Sequence, residues 1–308
     1  MADLTTKLGE ITLKNPVMTA SGTFGYGFEY LDFFPLTDLG AVVVKGVAPF
    51  VSHGNQTPRV AEVTGGMLNA IGLQGPGIEK FINDEHYLPF LRKSGSTNII
   101  NIWGKTIEDY AEVAKALDAH KDCIAALEIN ISCPNVKEGG IAFGTDLNLA
   151  AELVSEVRKA TTLPLITKLS PNVSNIAAFA KAVVDAGSDM VSLINTITGM
   201  AIDINTRKPK ISNITGGLSG PAIKPVAVRM VYEVAQAVDV PIIGMGGIVT
   251  AEDAIEFFLA GASAIAVGTA IFVDPMAPIK VIDGINKYLD DNGINSLSEI
   301  IGQVDIRK

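Results

Sequence analysis

The sequence predicts an α/β chain folded as a (β/α)8 TIM barrel with inserted hairpins on the C-terminal face. Three observations carry this expectation. Eight short apolar runs rich in β-branched residues recur along the 308 residues. Amphipathic stretches of helical period lie between them. Polar residues follow the runs, as they do where parallel strands end on one shared mouth. A doubly wound open sheet is the structural alternative. Eight units, and no dinucleotide glycine fingerprint after the first run, favour the barrel closed by right-handed crossovers. The chain reads as a single domain, 1–308, without a linker or low-complexity segment.

The runs occupy 16–20, 41–44, 98–102, 126–130, 165–169, 190–194, 241–245 and 264–267. Unbroken Val, Ile, Leu and Ala is the pattern of parallel strands buried on both faces. It accounts for a chain that is 48% hydrophobic and 19% charged, with a mean hydropathy of +0.33. After the third run, Thr106 and Asp109 have capping-box spacing, and Tyr110, Val113, Ala114 and Leu117 form one apolar stripe. Leu147, Ala150, Leu153, Val154 and Val157 do the same after the fourth. After the seventh, Thr250 and Asp253 repeat the box before Ala254, Phe257 and Phe258. The intervals from the second run to the third and from the sixth to the seventh are too long for one helix. Residues 59–70 and 201–211 read as hairpins there, turning at Thr64-Gly65-Gly66 and at Thr206-Arg207-Lys208-Pro209. Insertions after barrel strands cover a ligand or make a subunit contact.

Composition removes several function classes. A net charge of −9 and a pI near 4.9 disfavour non-specific nucleic-acid binding. Two cysteines, Cys123 and Cys133, make neither a disulfide framework nor the roughly four ligands of an iron–sulfur cluster. His53, His86 and His120 lack metal-ligand spacing, so no metal is expected. The longest apolar stretch, 260–273, is interrupted by Gly, Ser and Thr and falls short of the roughly 18 residues of a membrane span. Residues 1–7 lack the layout of a signal peptide, and a cytoplasmic location is expected.

The strand ends carry the chemistry. Ser21, Lys45 and Asn101 stand at the C-terminal ends of the first three runs, and Asn130, Ser132 and Cys133 at that of the fourth. Lys168 with Ser170, and Asn195 with Thr196, follow the next two. Any one of these is an ordinary strand terminator. Two lysines and three asparagines at one mouth are not, because a buried lysine needs an anionic or carbonyl partner. Gly246-Gly247 and Gly268-Thr269 end the last two runs, where barrels bind phosphate on accessible backbone N–H groups. They point to FMN or a sugar phosphate. Cys133 sits just past a strand end, before Pro134 and a glycine-rich stretch, where a base or nucleophile needs to be. An ordinary thiol pKa of about 8.5 leaves few per cent thiolate at neutral pH, so activity limited by it rises toward alkaline pH. Residues 134–144 are expected to act as a lid. Cys123 reads as a small hydrophobe and the histidines as surface residues. On these residues alone two other readings stay open: a Schiff-base aldolase using Lys168 or Lys45, and a barrel that only binds a phosphorylated ligand.

Asn130-Ile131-Ser132-Cys133-Pro134-Asn135-Val136-Lys137-Glu138-Gly139-Gly140 resembles the catalytic segment of class 1 dihydroorotate dehydrogenases. Thr19-Ala20-Ser21-Gly22-Thr23-Phe24-Gly25 and Asn69-Ala70-Ile71-Gly72-Leu73-Gln74 resemble two more motifs of that family, and the similarity spans the chain. Lys137-Glu138-Gly139-Gly140 is closer to the 1B subclass, which passes electrons to NAD+, than to the fumarate-reducing 1A subclass. Gly75, where the family has Asn, and Trp103, where a small residue is common, are departures. Gly75 is expected to alter the loop beside the substrate.

The resemblance implies oxidation of (S)-dihydroorotate to orotate in pyrimidine (UMP) biosynthesis. Cys133 would remove the C5 proton and FMN would accept the hydride from C6. Ser21, Lys45, Gly46, Asn101, Asn130 and Lys168 would hold FMN, with Ile194, Gly220, Gly246, Gly247, Gly268 and Thr269 around it. Lys45, Asn69, Ala70, Ile71, Gly72 and Leu73 would hold the substrate together with Asn130, Asn195 and Thr196. Lysine answers the carboxylate of such a substrate, and asparagine amides both donate and accept. The resemblance further implies a partner subunit carrying FAD and a [2Fe–2S] cluster, in a heterotetramer of two of each chain around a homodimer core. A fumarate-dependent enzyme without a partner is the near alternative.

Overall fold

The computed structural model describes residues 2–132 and 140–306. Eight parallel strands form one sheet: β1 (Val17–Thr19), β2 (Val42–Val47), β3 (Asn98–Ile102), β4 (Ala126–Asn130), β5 (Leu165–Lys168), β6 (Met190–Leu193), β7 (Ile242–Met245) and β8 (Ala264–Val267). Each lies within one of the expected runs except β2, which begins in the run 41–44 and extends to Val47. Neighbours pair in sequence order from β2 to β8, and β8 pairs with β1. The last seam, β1 to β2, is closed mainly by one side chain. Thr19 Oγ1 accepts the Val43 N–H at 2.9 Å and donates to the Val43 carbonyl at 3.1 Å. Gly40 N–H adds a bond to the Val17 carbonyl at 2.9 Å.

Strand alternation divides the core in two. Val42 and Val44 face outward into the ring between sheet and helices, whereas Val43 faces the barrel axis beside Met18, Ile99, Ile166 and Ile243. An N-terminal hairpin, Thr6–Leu8 paired with Ile11–Leu13, joins this inner core through Leu8 and Leu13, both fully buried. The inner apolar residues lie at the strand starts, so the hairpin plugs the N-terminal end. The opposite end is left to the polar strand termini.

Among the described residues, seven helices of seven or more residues clothe the sheet: α1 (Leu88–Ser94), α2 (Ile107–Asp118), α3 (Leu147–Ala160), α4 (Ile176–Asp185), α5 (Lys224–Ala235), α6 (Ala251–Ala260) and α7 (Ala277–Asp291). Both expected capping boxes form, at Thr106 with Asp109 and Thr250 with Asp253. The stripe Tyr110, Val113, Ala114 and Leu117 is buried. Alternation of strand and helix is broken once. Between β1 and β2 the chain makes only 3-10 turns, Phe28–Tyr30 and Leu36–Asp38. Gly22, Gly25, Gly27 and Pro35 oppose a helix there. The segment is held instead by Phe24 stacked on Tyr30, with ring centroids 4.3 Å apart.

The two insertions form hairpins, as expected, but they also meet. Val60–Val63 pairs with Gly66–Asn69 in the first, and Ile202–Asp203 with Lys208–Pro209 in the second. Two strands not expected from sequence, Ile197–Met200 and Thr215–Ser219, complete a four-stranded antiparallel sheet with the first hairpin. It roofs the C-terminal mouth over a small core of Leu68, Ala70 and Ile211. Among the described residues no helix is long and apolar enough to cross a membrane.

Candidate active site

Inward positions two residues apart run from apolar at the strand starts to polar at the ends: Val43 then Lys45, Ile99 then Asn101, Ala126 then Glu128 and Asn130, Ile166 then Lys168, Met190 then Ser192. A polar layer therefore rests on the plugged apolar one. Above it opens a cavity of about 640 Å³, within the roughly 300–1,000 Å³ of cofactor and ligand sites. Lys45, Asn101, Asn130 and Lys168 rise into it from β2 to β5, with Ser21 and Gly46 beside them. Ile194, Asn195 and Thr196 after β6, Gly246 and Gly247 after β7, and Gly268 and Thr269 after β8 complete the rim with Gly220. Asn69, Ile71, Gly72 and Leu73 descend from the roof.

Ala70 is the exception among the expected residues. It is fully buried with Leu68 and Ile211, away from the cavity. In an extended segment alternate side chains face opposite ways, so Asn69 and Ile71 at the cavity turn Ala70 into the roof core. Cys133 lies outside the described residues, as does most of the expected lid segment.

Two networks set the polar groups. At the barrel axis Glu128, 2% exposed, accepts from Asn101 Nδ2 at 2.6 Å and from Ser192 Oγ at 2.8 Å. Lys168 Nζ stands 3.9 Å from the same carboxylate and donates to Ser21 Oγ at 3.3 Å. Asn101 Oδ1 is buried with no partner among the described residues, beside Gly46, where an added Cβ would lie 2.9 Å from it. In the second network Asn130 Oδ1 accepts from Ser132 N–H at 3.3 Å and Ser132 Oγ at 3.1 Å. That leaves the Asn130 NH2 as the group for a ligand. Asn195 Nδ2 bonds Ser132 Oγ at 2.8 Å, tying the end of β6 to that of β4. Tyr110 of α2 donates its hydroxyl to the Asn130 carbonyl at 2.8 Å, which fixes the strand end from behind.

The glycine rim has a steric reason. Gly246 and Gly247 have φ of 128° and 77°, values that L side chains rarely adopt. A Cβ on Gly247 would lie 2.8 Å from the Gly220 carbonyl. The two bare backbones pack together there, beside Thr269, whose hydroxyl donates to Ser219 Oγ at 2.7 Å. Such exposed main chain, free of Cβ atoms, suits a phosphate.

The family model described as dihydroorotate dehydrogenase matches residues 3–289. The chain belongs to the dihydroorotate dehydrogenase family. A relative from Geotalea uraniireducens is 57% identical over 300 residues, covering 97% of each chain. One from Alkaliphilus metalliredigens is 59% identical over 295 residues, 96% of each. One from Geobacter sulfurreducens is 54% identical over 304, 99% of each. All three are named dihydroorotate dehydrogenase B (NAD(+)), catalytic subunit. A solved dihydroorotate dehydrogenase from Eimeria tenella, in complex with ferulenol, shares the fold, with a TM-score of 0.79 at 22% identity over 98% of this chain and 88% of that one.

Within this family the site fits a flavin on its own geometry. Asn101 and Lys168 would bring an amide and a cation to it, and the Gly246–Gly247 main chain a seat for its phosphate. Three contributors escaped the sequence reading. Glu128 is hidden inside an apolar run, although its two-residue spacing from Asn130 marks it as inward-facing. Arg59 lines the cavity, held by Gln74 Oε1 at 2.6 Å and the Asn55 carbonyl at 3.3 Å. Only the folded roof brings it there. Ser219 comes from an unexpected strand. The two departures prove to be neighbours on either side of Gly46. A Cβ on Gly75 would lie 3.1 Å from the Gly46 carbonyl, and one on Gly46 would lie 2.8 Å from Trp103 Cδ1. Trp103 packs edge-on to Phe50 with centroids 5.3 Å apart. Tyr26, whose hydroxyl lies near Gly75, has its phenol pushed up by burial.

Proposed function

We propose that the chain is the FMN-carrying catalytic subunit of a class 1B dihydroorotate dehydrogenase, oxidising (S)-dihydroorotate to orotate and passing electrons through a partner subunit to NAD+. The observation that carries this is the floor of two ammonium groups and two amides, Lys45, Lys168, Asn101 and Asn130, on four adjacent strand ends under a glycine rim. FMN, when bound, would supply the hydride acceptor for C6 of the substrate. Asn101, Lys168, Ser21 and the Gly246–Gly247 main chain are the groups that would hold it. Lys45 and Arg59 answer the substrate carboxylate, Asn130 and Asn195 its ring amides, and the roof from Asn69 to Leu73 excludes water. Cys133 takes the C5 proton as general base.

The relatives' names include a catalytic subunit and NAD+, which supports a partner bearing FAD and a [2Fe–2S] cluster. The reading includes a heterotetramer of two of each chain. Exposed Met200, Ile202, Ile204 and Ile214 on the roof insertion provide an apolar face for its homodimer core. A fumarate-dependent enzyme without a partner remains the competing reading, and reduction of fumarate by the isolated chain would favour it. A Schiff-base aldolase on Lys168 is disfavoured, because its Nζ is engaged by Ser21 Oγ and the Glu128 carboxylate.

The first test is the visible spectrum of the purified chain, whose flavin band bleaches on adding dihydroorotate. The second is Cys133→Ala, which should keep the colour and lower kcat by about 10²–10⁴-fold, the usual worth of a general base. Wild-type activity should rise toward alkaline pH as the thiolate forms. Near-full turnover by the alanine variant at pH 7 would remove Cys133 from the mechanism.

A further inference from the structure

Glu128 takes no part in the reaction as proposed and does not line the cavity, yet both of its oxygens are committed to side chains around it. Oε2 accepts from Asn101 Nδ2 at 2.6 Å and lies 3.9 Å from Lys168 Nζ, while Oε1 accepts from Ser192 Oγ at 2.8 Å. Asn101 and Lys168 both line the cavity. We propose that Glu128 is a positioning residue of the cofactor site: it holds the Asn101 amide in one orientation at the cavity floor and sets how much positive charge Lys168 presents there. This rests on the reading that FMN occupies the cavity.

The argument has two parts. A carboxylate paired with ammonium only accepts hydrogen bonds, so Asn101 must turn its NH2 down to Glu128. Its Oδ1 is then left buried beside Gly46 and without a partner among the described residues, a costly orientation that the carboxylate's hold on the NH2 maintains. Glu128 thereby fixes which way the Asn101 amide is turned at the cavity floor. Charge is the second part. An ion pair this deeply buried is poor evidence for stability, since well-packed apolar residues often serve a fold as well or better. The pair does put a compensated cation against the cavity. Without the Glu128 charge, Lys168 would act there at full strength and favour whichever redox state of a bound flavin carries more negative charge, the reduced one.

The test uses the full chain with FMN bound, as wild type and as Glu128→Gln, Ser192→Ala and Glu128→Asp. The flavin reduction potential is measured by spectroscopic titration, the FMN dissociation constant by reconstitution, and folding by thermal melting. Glu128→Gln should shift the preference for reduced over oxidised FMN upward about tenfold, which is about 30 mV for a two-electron couple. It should also weaken oxidised FMN, because a glutamine NH2 lets Asn101 flip. Ser192→Ala removes a hydrogen bond but no charge and should leave the potential where it is. Glu128→Asp keeps the charge and shortens the reach, so FMN weakens while the potential stays near wild type; it decides the matter if the glutamine variant does not fold. An unchanged potential in folded, yellow Glu128→Gln, or an equal shift in Ser192→Ala or Glu128→Asp, overturns the inference alone. A wild-type chain that takes up no FMN overturns the functional reading and this inference with it.

Discussion

Asp118, the last residue of α2, accepts hydrogen bonds from the Thr161 hydroxyl at 2.7 Å, the Thr162 N–H at 2.7 Å and the Thr162 hydroxyl at 3.1 Å. These bonds tie α2 to the loop before β5 and hold the carboxyl down at about 2, against an ordinary 3.8. A carboxyl more acidic in the folded than in the unfolded chain stabilises the fold above about pH 4, and that contribution is lost as pH falls toward 2. Asp118→Asn should cost about 1 kcal/mol at pH 7, the low side for charge-assisted bonds because the group faces solvent. Denaturant melts at pH 7 and near pH 2 check this, and a gap to wild type that persists undiminished in acid would contradict it. The same scale shows what a linear reading catches in the site. Lys45, Asn101, Asn130 and Lys168 are legible because each is a polar residue at the C-terminal end of an apolar run. Glu128 is equally inward-facing but sits in mid-run, where a charge looks like noise unless the two-residue period is followed through it. Ala70 was read as a contact because it lies in a motif, and the same period turns it away.

At the scale of elements, the strands were legible because both their faces are buried, which leaves unbroken apolar runs. The missing first helix was not, since its replacement by 3-10 turns depends on the packing of Phe24 with Tyr30 and Phe34. Nor were Ile197–Met200 and Thr215–Ser219. The latter reads Thr-Gly-Gly-Leu-Ser, a weak strand former that becomes a strand only beside Gly66–Asn69. Closure of the ring also depends on a detail no pattern announces, the Thr19 hydroxyl that bridges both backbone groups of Val43. Thr19→Val preserves shape and removes both bonds, leaving a buried N–H and carbonyl unpaired. It should destabilise the barrel by about 2 kcal/mol and speed hydrogen exchange of the Val43 amide more than that of amides in β5. Uniform protection across the sheet would show that the seam closes without it.

At the scale of the whole molecule, the roof joins parts of the chain that fold after different strands. Asn69 Nδ2 donates to the Gly217 carbonyl at 3.3 Å across 148 positions of sequence. Gly217 in turn packs against Thr196, where an added methyl would overlap the threonine side chain. Thr196 and Asn195 line the cavity, and Asn195 is bonded to Ser132 just before Cys133. The side of the cavity lined by Asn195, Thr196 and the roof is thus assembled by long-range pairing, whereas the glycine rim and the strand-end floor belong to the barrel itself. Gly217→Ala separates the two. The methyl must push the β6 loop off its place while leaving the barrel strands and the Gly246–Gly247 main chain alone. Steady-state kinetics should show kcat/KM for dihydroorotate down about ten- to a hundredfold, the range for misplacing substrate by a fraction of an ångström to an ångström. FMN content and the melting temperature should stay near wild type. Loss of FMN in step with kcat/KM would mean that roof and rim form one unit, and that the substrate loop cannot move without the cofactor site.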